Sequence, residues 1–117
     1  MRVSEWYEQL QAQLTSDGFT VTFMQPQPGA VLPLVHVAGH TDGDVSSHNG
    51  TLSSIDQQID LYGEVTMSRA EFEMLTEKLK WSLSRAGGWE SLTTQQMIDT
   101  STGRDLYRAL LLITKTI

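Results

Sequence analysis

Two periodicities meet in the middle of this chain and limit what it can build. Over residues 55–63 the positions alternate, so that Ile55, Gln57, Ile59 and Leu61 share one face. Asp56, Gln58, Asp60 and Tyr62 share the other. That is a strand with one buried face and one face that is polar or meets a partner. A few residues later the period becomes helical. Phe72, Leu75, Leu79 and Leu83 form an inward stripe, with Met74 and Trp81 widening it or lying at its edge. Ser68-Arg69-Ala70-Glu71 reads as a capping box, in which the serine bonds forward and the glutamate back. Met67 and Phe72 stand at the flanking staple positions, and Gly87-Gly88 stops the helix. A strand feeding a helix in this way calls for a sheet with a helix laid over it.

The flanking segments supply the rest of that architecture. Val3, Trp6, Tyr7, Leu10 and Leu14 fall on one helical face. Ser4 is the expected N-cap, and Asp17-Gly18 the expected end. Residues 19–23 alternate as a strand, and the two prolines of residues 25–29 make a turn or loop. Residues 31–38 read as a second strand, which Pro33 pushes to an edge or to a true start at Leu34. Residues 39–54 are small and polar and read as a long exposed loop. Residues 89–99 form a strand, 100–103 a turn and 104–115 the last strand. The middle of that strand, 109–113, is apolar on both faces, so both faces are expected to be covered. The order α-β-β-β-α-β-β describes one α+β domain spanning 1–117. Its sheet is antiparallel or mixed, of about five strands, with two helices packed on one side.

Composition narrows the function classes. A chain of 117 residues closes one core, and its 39% apolar residues suffice for that. Cysteine is absent, which removes disulfides and thiol chemistry. The net charge of −6 is unevenly placed. Residues 1–67 hold eight acids and one base, and residues 68–117 hold six acids and seven bases. An acidic surface repels phosphate, which argues against sequence-independent duplex binding. Two unlike surfaces on one small domain suit head-to-tail contact with a second copy. No apolar run approaches the roughly 20 residues that cross a bilayer. The first residues lack the pattern of a signal peptide, so cytosolic synthesis is expected.

Ligand-type residues concentrate in one place: His36, His40, Asp42, Asp44 and His48. Imidazoles and carboxylates together can hold a divalent cation. A solvated loop in which Asp and Gly serve turn geometry accounts for the same residues. Asp42-Gly43-Asp44 lacks the later glutamate of an EF-hand, and there is no H-E-x-x-H pair. No G-x-S-x-G elbow and no glycine-rich phosphate loop opening a helix occurs. Asn49-Gly50-Thr51 fits a glycosylation pattern, but Asn-Gly is first of all a tight turn. Asp56 and Asp60 stand roughly 13 Å apart along a strand, too far to cooperate, and read as surface charge. Arg104 and Arg108 are expected on one face of the last strand, free to meet an acidic neighbour or solvent. Trp6, Trp81 and Trp89 are expected core or interface anchors.

Three stretches carry a family resemblance. They are residues 4–23, residues 54–63 leading into the capped helix, and residues 89–113. The last contains the hairpin Asp99-Thr100-Ser101-Thr102-Gly103-Arg104-Asp105 and, beyond it, Tyr107-Arg108-Ala109-Leu110. Together they resemble the tail terminator, or tail completion, proteins of siphophages and related prophages. Residues 39–54 fall outside the likeness. The resemblance implies a non-enzymatic virion protein with no cofactor, made in the host cytoplasm. It implies a hexameric ring on the head-proximal end of the tail tube that stops tube polymerisation and receives the head connector. The implied partners are further copies of itself, the major tail tube protein and a head-completion protein. Genomic DNA would pass through the lumen, and no membrane is involved. On that footing His40, Asp42, Asp44, His48 and Asn49 are expected to contact a partner and to order on binding. Arg104 and Arg108 are expected to face the acidic half of a neighbouring subunit. A neck or head-completion protein shares the same size, acidity and ring logic. A small metal-dependent enzyme or ligand-binding module would instead use the 36–48 cluster.

Overall fold

The computed structural model describes residues 2–47 and 50–117, with side chains placed outside 42 and 44–53. Helix α1 spans Val3–Ser16 and helix α2 spans Arg69–Arg85. The strands are β1 (Val21–Thr22), β2 (Leu34–Ser47), β3 (Gly50–Glu64), β4 (Ser91–Asp99) and β5 (Leu106–Thr116). They form one mixed sheet in the order β1-β2-β3-β5-β4. Only β1 runs parallel to its neighbour, pairing Val21 with Val35; the other contacts are antiparallel.

Both helices lie on the same face. Trp6, Leu10 and Leu14 of α1 and Phe72, Leu79 and Leu83 of α2 share one core with Val35, Val37, Ile55, Ile59, Leu61, Ala109, Leu111 and Ile113. The expected α+β architecture and element order are therefore present. The stripe on α2 is the expected one, and Met74 and Trp81 stand outside it, exposed. Ser68 Oγ accepts from Glu71 N at 3.1 Å, the forward half of the box. Each helix ends where a glycine takes a left-handed φ, +91° at Gly18 and +123° at Gly87. The residue after each donates to the carbonyl five residues earlier: Phe19 N to Leu14 O at 3.0 Å, and Gly88 N to Leu83 O at 3.2 Å. These are Schellman closures.

Several expectations are corrected. Ser4 is not the N-cap; the helix starts at Val3, and Arg2 O accepts from Trp6 N at 3.1 Å. The extra residue brings Val3 against the core. The strand expected over 19–23 shrinks to Val21–Thr22, with Phe19 taken into the core and Phe23 exposed. The second strand begins at Leu34, directly after the cis Leu32-Pro33 bond.

Residues 39–47 and 50–54, expected as part of a loop, are strand. β2 and β3 continue as a ribbon from Leu34↔Tyr62 to Ser47↔Gly50, with one irregularity between Val37 and His40. Pairing of β3 with β5 begins only at Ser54↔Thr116. The last four residue pairs thus project roughly 13 Å past the sheet at the usual rise per residue. They contribute to a shape of 53 × 24 × 22 Å. Backbone pairing holds this ribbon, so it needs no apolar alternation in its sequence.

β5 starts at Leu106, later than expected, and is not covered on both sides. Ala109, Leu111 and Ile113 are fully buried under the helices, whereas Leu112 on the opposite face is 41% exposed. The helices occupy one face only.

Candidate functional site

The irregularity in β2 decides where the histidines point. His36 pairs with Asp60 and so lies on the face away from the helices. One residue is then gained, so His40 pairs with Gln57 on the helix face. There its Nδ1 meets the Tyr7 hydroxyl at 2.6 Å. Gln57 is fully buried and bridges the same spot. Its Oε1 accepts from Trp6 Nε1 at 3.3 Å, and its Nε2 donates to Ala38 O at 2.7 Å. The base of the ribbon is in this way tied to α1 through an amide, an indole and a phenol. Burial pushes the Tyr7 hydroxyl up, against a smaller opposing pull from Gln57.

The opposite face carries a buried polar cluster at its lower end. Arg108 Nε donates to Asp60 Oδ1, and its Nη1 to Asp99 Oδ2, both at 3.0 Å. Asp60 is 1% exposed, which corrects its reading as surface charge. Its other oxygen accepts from Gln58 Nε2 at 3.0 Å and lies 3.8 Å from His36 Nδ1. The Arg108 guanidinium also sits 5.7 Å from the centre of the Tyr62 ring. Burial alone would lower the Arg108 pKa, but the hydrogen bond and charge of Asp60 outweigh it, helped by Tyr62 and Asp99. Burial drives His36 below its ordinary value; Asp60 opposes this and Arg108 adds to it. Asp99 is held down chiefly by its hydrogen bonds from Ser101, whose N–H donates at 2.7 Å.

Arg104 lies in the turn before β5, so it does not share a strand face with Arg108. Its Nη2 donates to Ala30 O at 2.8 Å, and its Nη1 lies 3.4 Å from Glu64. It therefore pins the 23–33 segment across the end of the sheet. Both arginines are engaged by their own chain. Of the other expected contact residues, Asp42 and Asp44 lie on the ribbon with side chains outside the described set. His48 and Asn49 lie outside the described residues altogether. Among the described residues no group of three or more His, Asp or Glu gathers as a metal site. His36 and His40 sit on opposite faces of the sheet and do not converge. No described helix is long and apolar enough to cross a membrane.

A third region was not legible as a site. Glu77, Lys80, Trp81 and Ser84 of α2, with Trp89 before β4, line a groove of about 310 Å³. Trp81 is 68% exposed there, and Ile98 at the other end of β4 is 46% exposed. Of the three expected tryptophan anchors, Trp6 is in the core, Trp89 is partly buried and Trp81 is outside. An apolar residue off the helical stripe was the only sequence signal for this groove.

The chain matches no protein-family model, and no curated protein matches it.

Proposed function

We propose that the chain is a structural virion protein of the tail terminator kind. It would assemble as a ring on the head-proximal end of the phage tail tube, stop tube growth and receive the head connector. The observation that carries this is the β2–β3 ribbon, which projects beyond the body that anchors it. An arm of this kind reaches a neighbouring molecule without disturbing the core beneath it. The fold supports it further, since a sheet with helices on one side is what the resemblance implies. Arg108 is spent on Asp60 and Asp99 of its own chain. Further copies of the chain, the tube protein and a head-completion protein are the partners in this proposal.

The test shortens the ribbon along its own register. Gly43 pairs with Ser54, so residues 44–53 can be replaced by Asn-Gly, which closes a tight hairpin. The body should fold with unchanged circular dichroism, and head–tail joining should be lost in a complementation assay. Normal joining by the shortened protein would remove the ribbon from the mechanism. Electron microscopy of tails made without the protein should show tubes of irregular, excessive length. Tubes of normal length would overturn the terminator role.

A further inference from the structure

β4 forms one margin of the sheet, and among the described residues β5 is its ladder partner. Its nine residues pair with β5 in unbroken register from Ser91↔Thr114 to Asp99↔Leu106. An edge of this kind is a template for another strand, and proteins ordinarily blunt it with charge, proline or a bulge. Residues 91–98 contain no charge, proline or glycine. The acids at the two ends of the strand are engaged within the chain. Glu90 Oε1 accepts from Thr116 N at 3.1 Å, and Asp99 is held by Arg108 and Ser101.

The side chains of β4 decide which strand fits beside it. The register sets Leu92, Thr94, Gln96 and Ile98 opposite Ile113, Leu111, Ala109 and Tyr107, on the helix face. Thr93, Gln95 and Met97 therefore lie on the open face. Leu92 packs against the core, whereas Ile98 is 46% exposed. The sequence of β4 is complementary to itself when reversed. In an antiparallel pair of two β4 strands with Gln95 opposite Gln95, all nine residues find a partner. Leu92 then faces Ile98, Thr93 faces Met97 and Thr94 faces Gln96, and no charged residue faces another. A shift of two residues either way sets Ile98 against Glu90 or Thr94 instead.

We infer that the β4 margin pairs with β4 of a second copy of this chain, antiparallel about a two-fold axis at Gln95, which joins two five-stranded sheets into one. Backbone pairing provides the attachment. The match of Leu92 with Ile98, made twice across the axis, covers the half-exposed isoleucine of each copy and fixes the register. The contact uses the same surface on both molecules, so it closes at two copies. It does not rest on the function proposed above; a ring would be built from other surfaces.

The chain has no cysteine, so introduced thiols report one contact at a time. Under oxidising conditions Gln95→Cys should form a disulfide dimer by itself, because the axis sets each thiol against its own copy. Thr93→Cys should form none by itself, but a mixture of Thr93→Cys and Met97→Cys should cross-link. In sedimentation equilibrium the unsubstituted chain should run at twice 13.1 kDa. Gln95→Lys and Gln95→Glu, at an exposed site, should each run as monomers with unchanged circular dichroism, since like charges meet at the axis. Mixed together, these two variants should dimerise again. An unsubstituted chain that stays monomeric would leave the edge to a foreign strand or to solvent and overturn the inference. So would a dimer that survives Gln95→Lys, or a Thr93→Cys cross-link as strong as that of Gln95→Cys.

Discussion

Arg108 holds Asp60 from the next strand, Nε to Oδ1 at 3.0 Å, where the carboxylate is 1% exposed. The second carboxylate on the same guanidinium, Asp99, is 6% exposed. Two buried anions thus depend on one cation that is itself only partly covered.

Arg108→Met should destabilise the fold by about 3 kcal/mol, since it leaves two carboxylates buried without their counter-charge. Urea unfolding at neutral pH measures this. The double variant Arg108→Met/Asp60→Asn should recover part of the loss, because the two residues act as one unit. Additive losses would show that the pair is not coupled.

Acid should find two weak points, and their signs can be worked out separately. Asp17 accepts from Ser82 at 2.5 Å, Gln13 at 3.0 Å and Arg85 at 2.8 Å, and its pKa falls to about 2 from an ordinary 3.8. The folded state therefore favours the carboxylate. Its contribution is complete above pH 3.8 and disappears as the pH falls through about 2. Asp17→Asn should lose stability at pH 5 but not at pH 2. A gap between the two proteins that stays constant over this range would refute the assignment. His36 works in a higher window. Burial keeps its imidazole below the ordinary 6.5, so the unfolded chain takes up the proton first. Stability should decline as pH drops below 6.5, until the folded pKa is reached. An NMR titration should place the His36 midpoint below 6.5, and a midpoint above that value would contradict the burial argument.

Gly63 has the closest packing constraint in the core. A Cβ there would stand 2.8 Å and 2.9 Å from two ring carbons of Phe72, which is 1% exposed. The Phe72 ring is backed by Tyr107, with centroids 5.1 Å apart, and has little room to retreat. Gly63→Ala should cost about 1–3 kcal/mol through overpacking. Thermal unfolding reads this directly. Adding Phe72→Leu should reduce the penalty of the alanine, and an undiminished penalty would point to backbone strain instead.

Much of the fold was legible because its signals are local. Met67, Ser68 and Phe72 mark the start of α2 within six residues, and Gly87-Gly88 marks its end. Pro33 offered a start of β2 at Leu34 as one of two alternatives, since a proline cannot donate to the ladder, and the strand does start there. The ribbon was hidden for the opposite reason. Residues 39–54 carry no alternating apolar pattern in the sequence, so period-two reading has nothing to detect there.

The candidate surfaces were less legible than the fold. Arg104 and Arg108 were recognised as notable, yet nothing in their spacing shows that one pins Ala30 and the other two carboxylates. His36 and His40 look like neighbours on one face, and a single extra residue in β2 sends them to opposite faces. The unguarded edge of β4 could be seen only once the strand order placed it at a margin.

The sequence by itself determined both helices, their C-terminal ends, the alternation of β3 and the one-sided α+β architecture. Each of these depends on residues within a turn or two of one another. The tertiary structure decided the reach of the paired ribbon, the burial of Asp60 and the place of β4 at a margin of the sheet. Those depend on partners far along the chain, as Arg108 and Asp60 are 48 residues apart. Short-range periodicity reports which face is apolar. Only the packed sheet determines which strand lies beside it and which edge is left open.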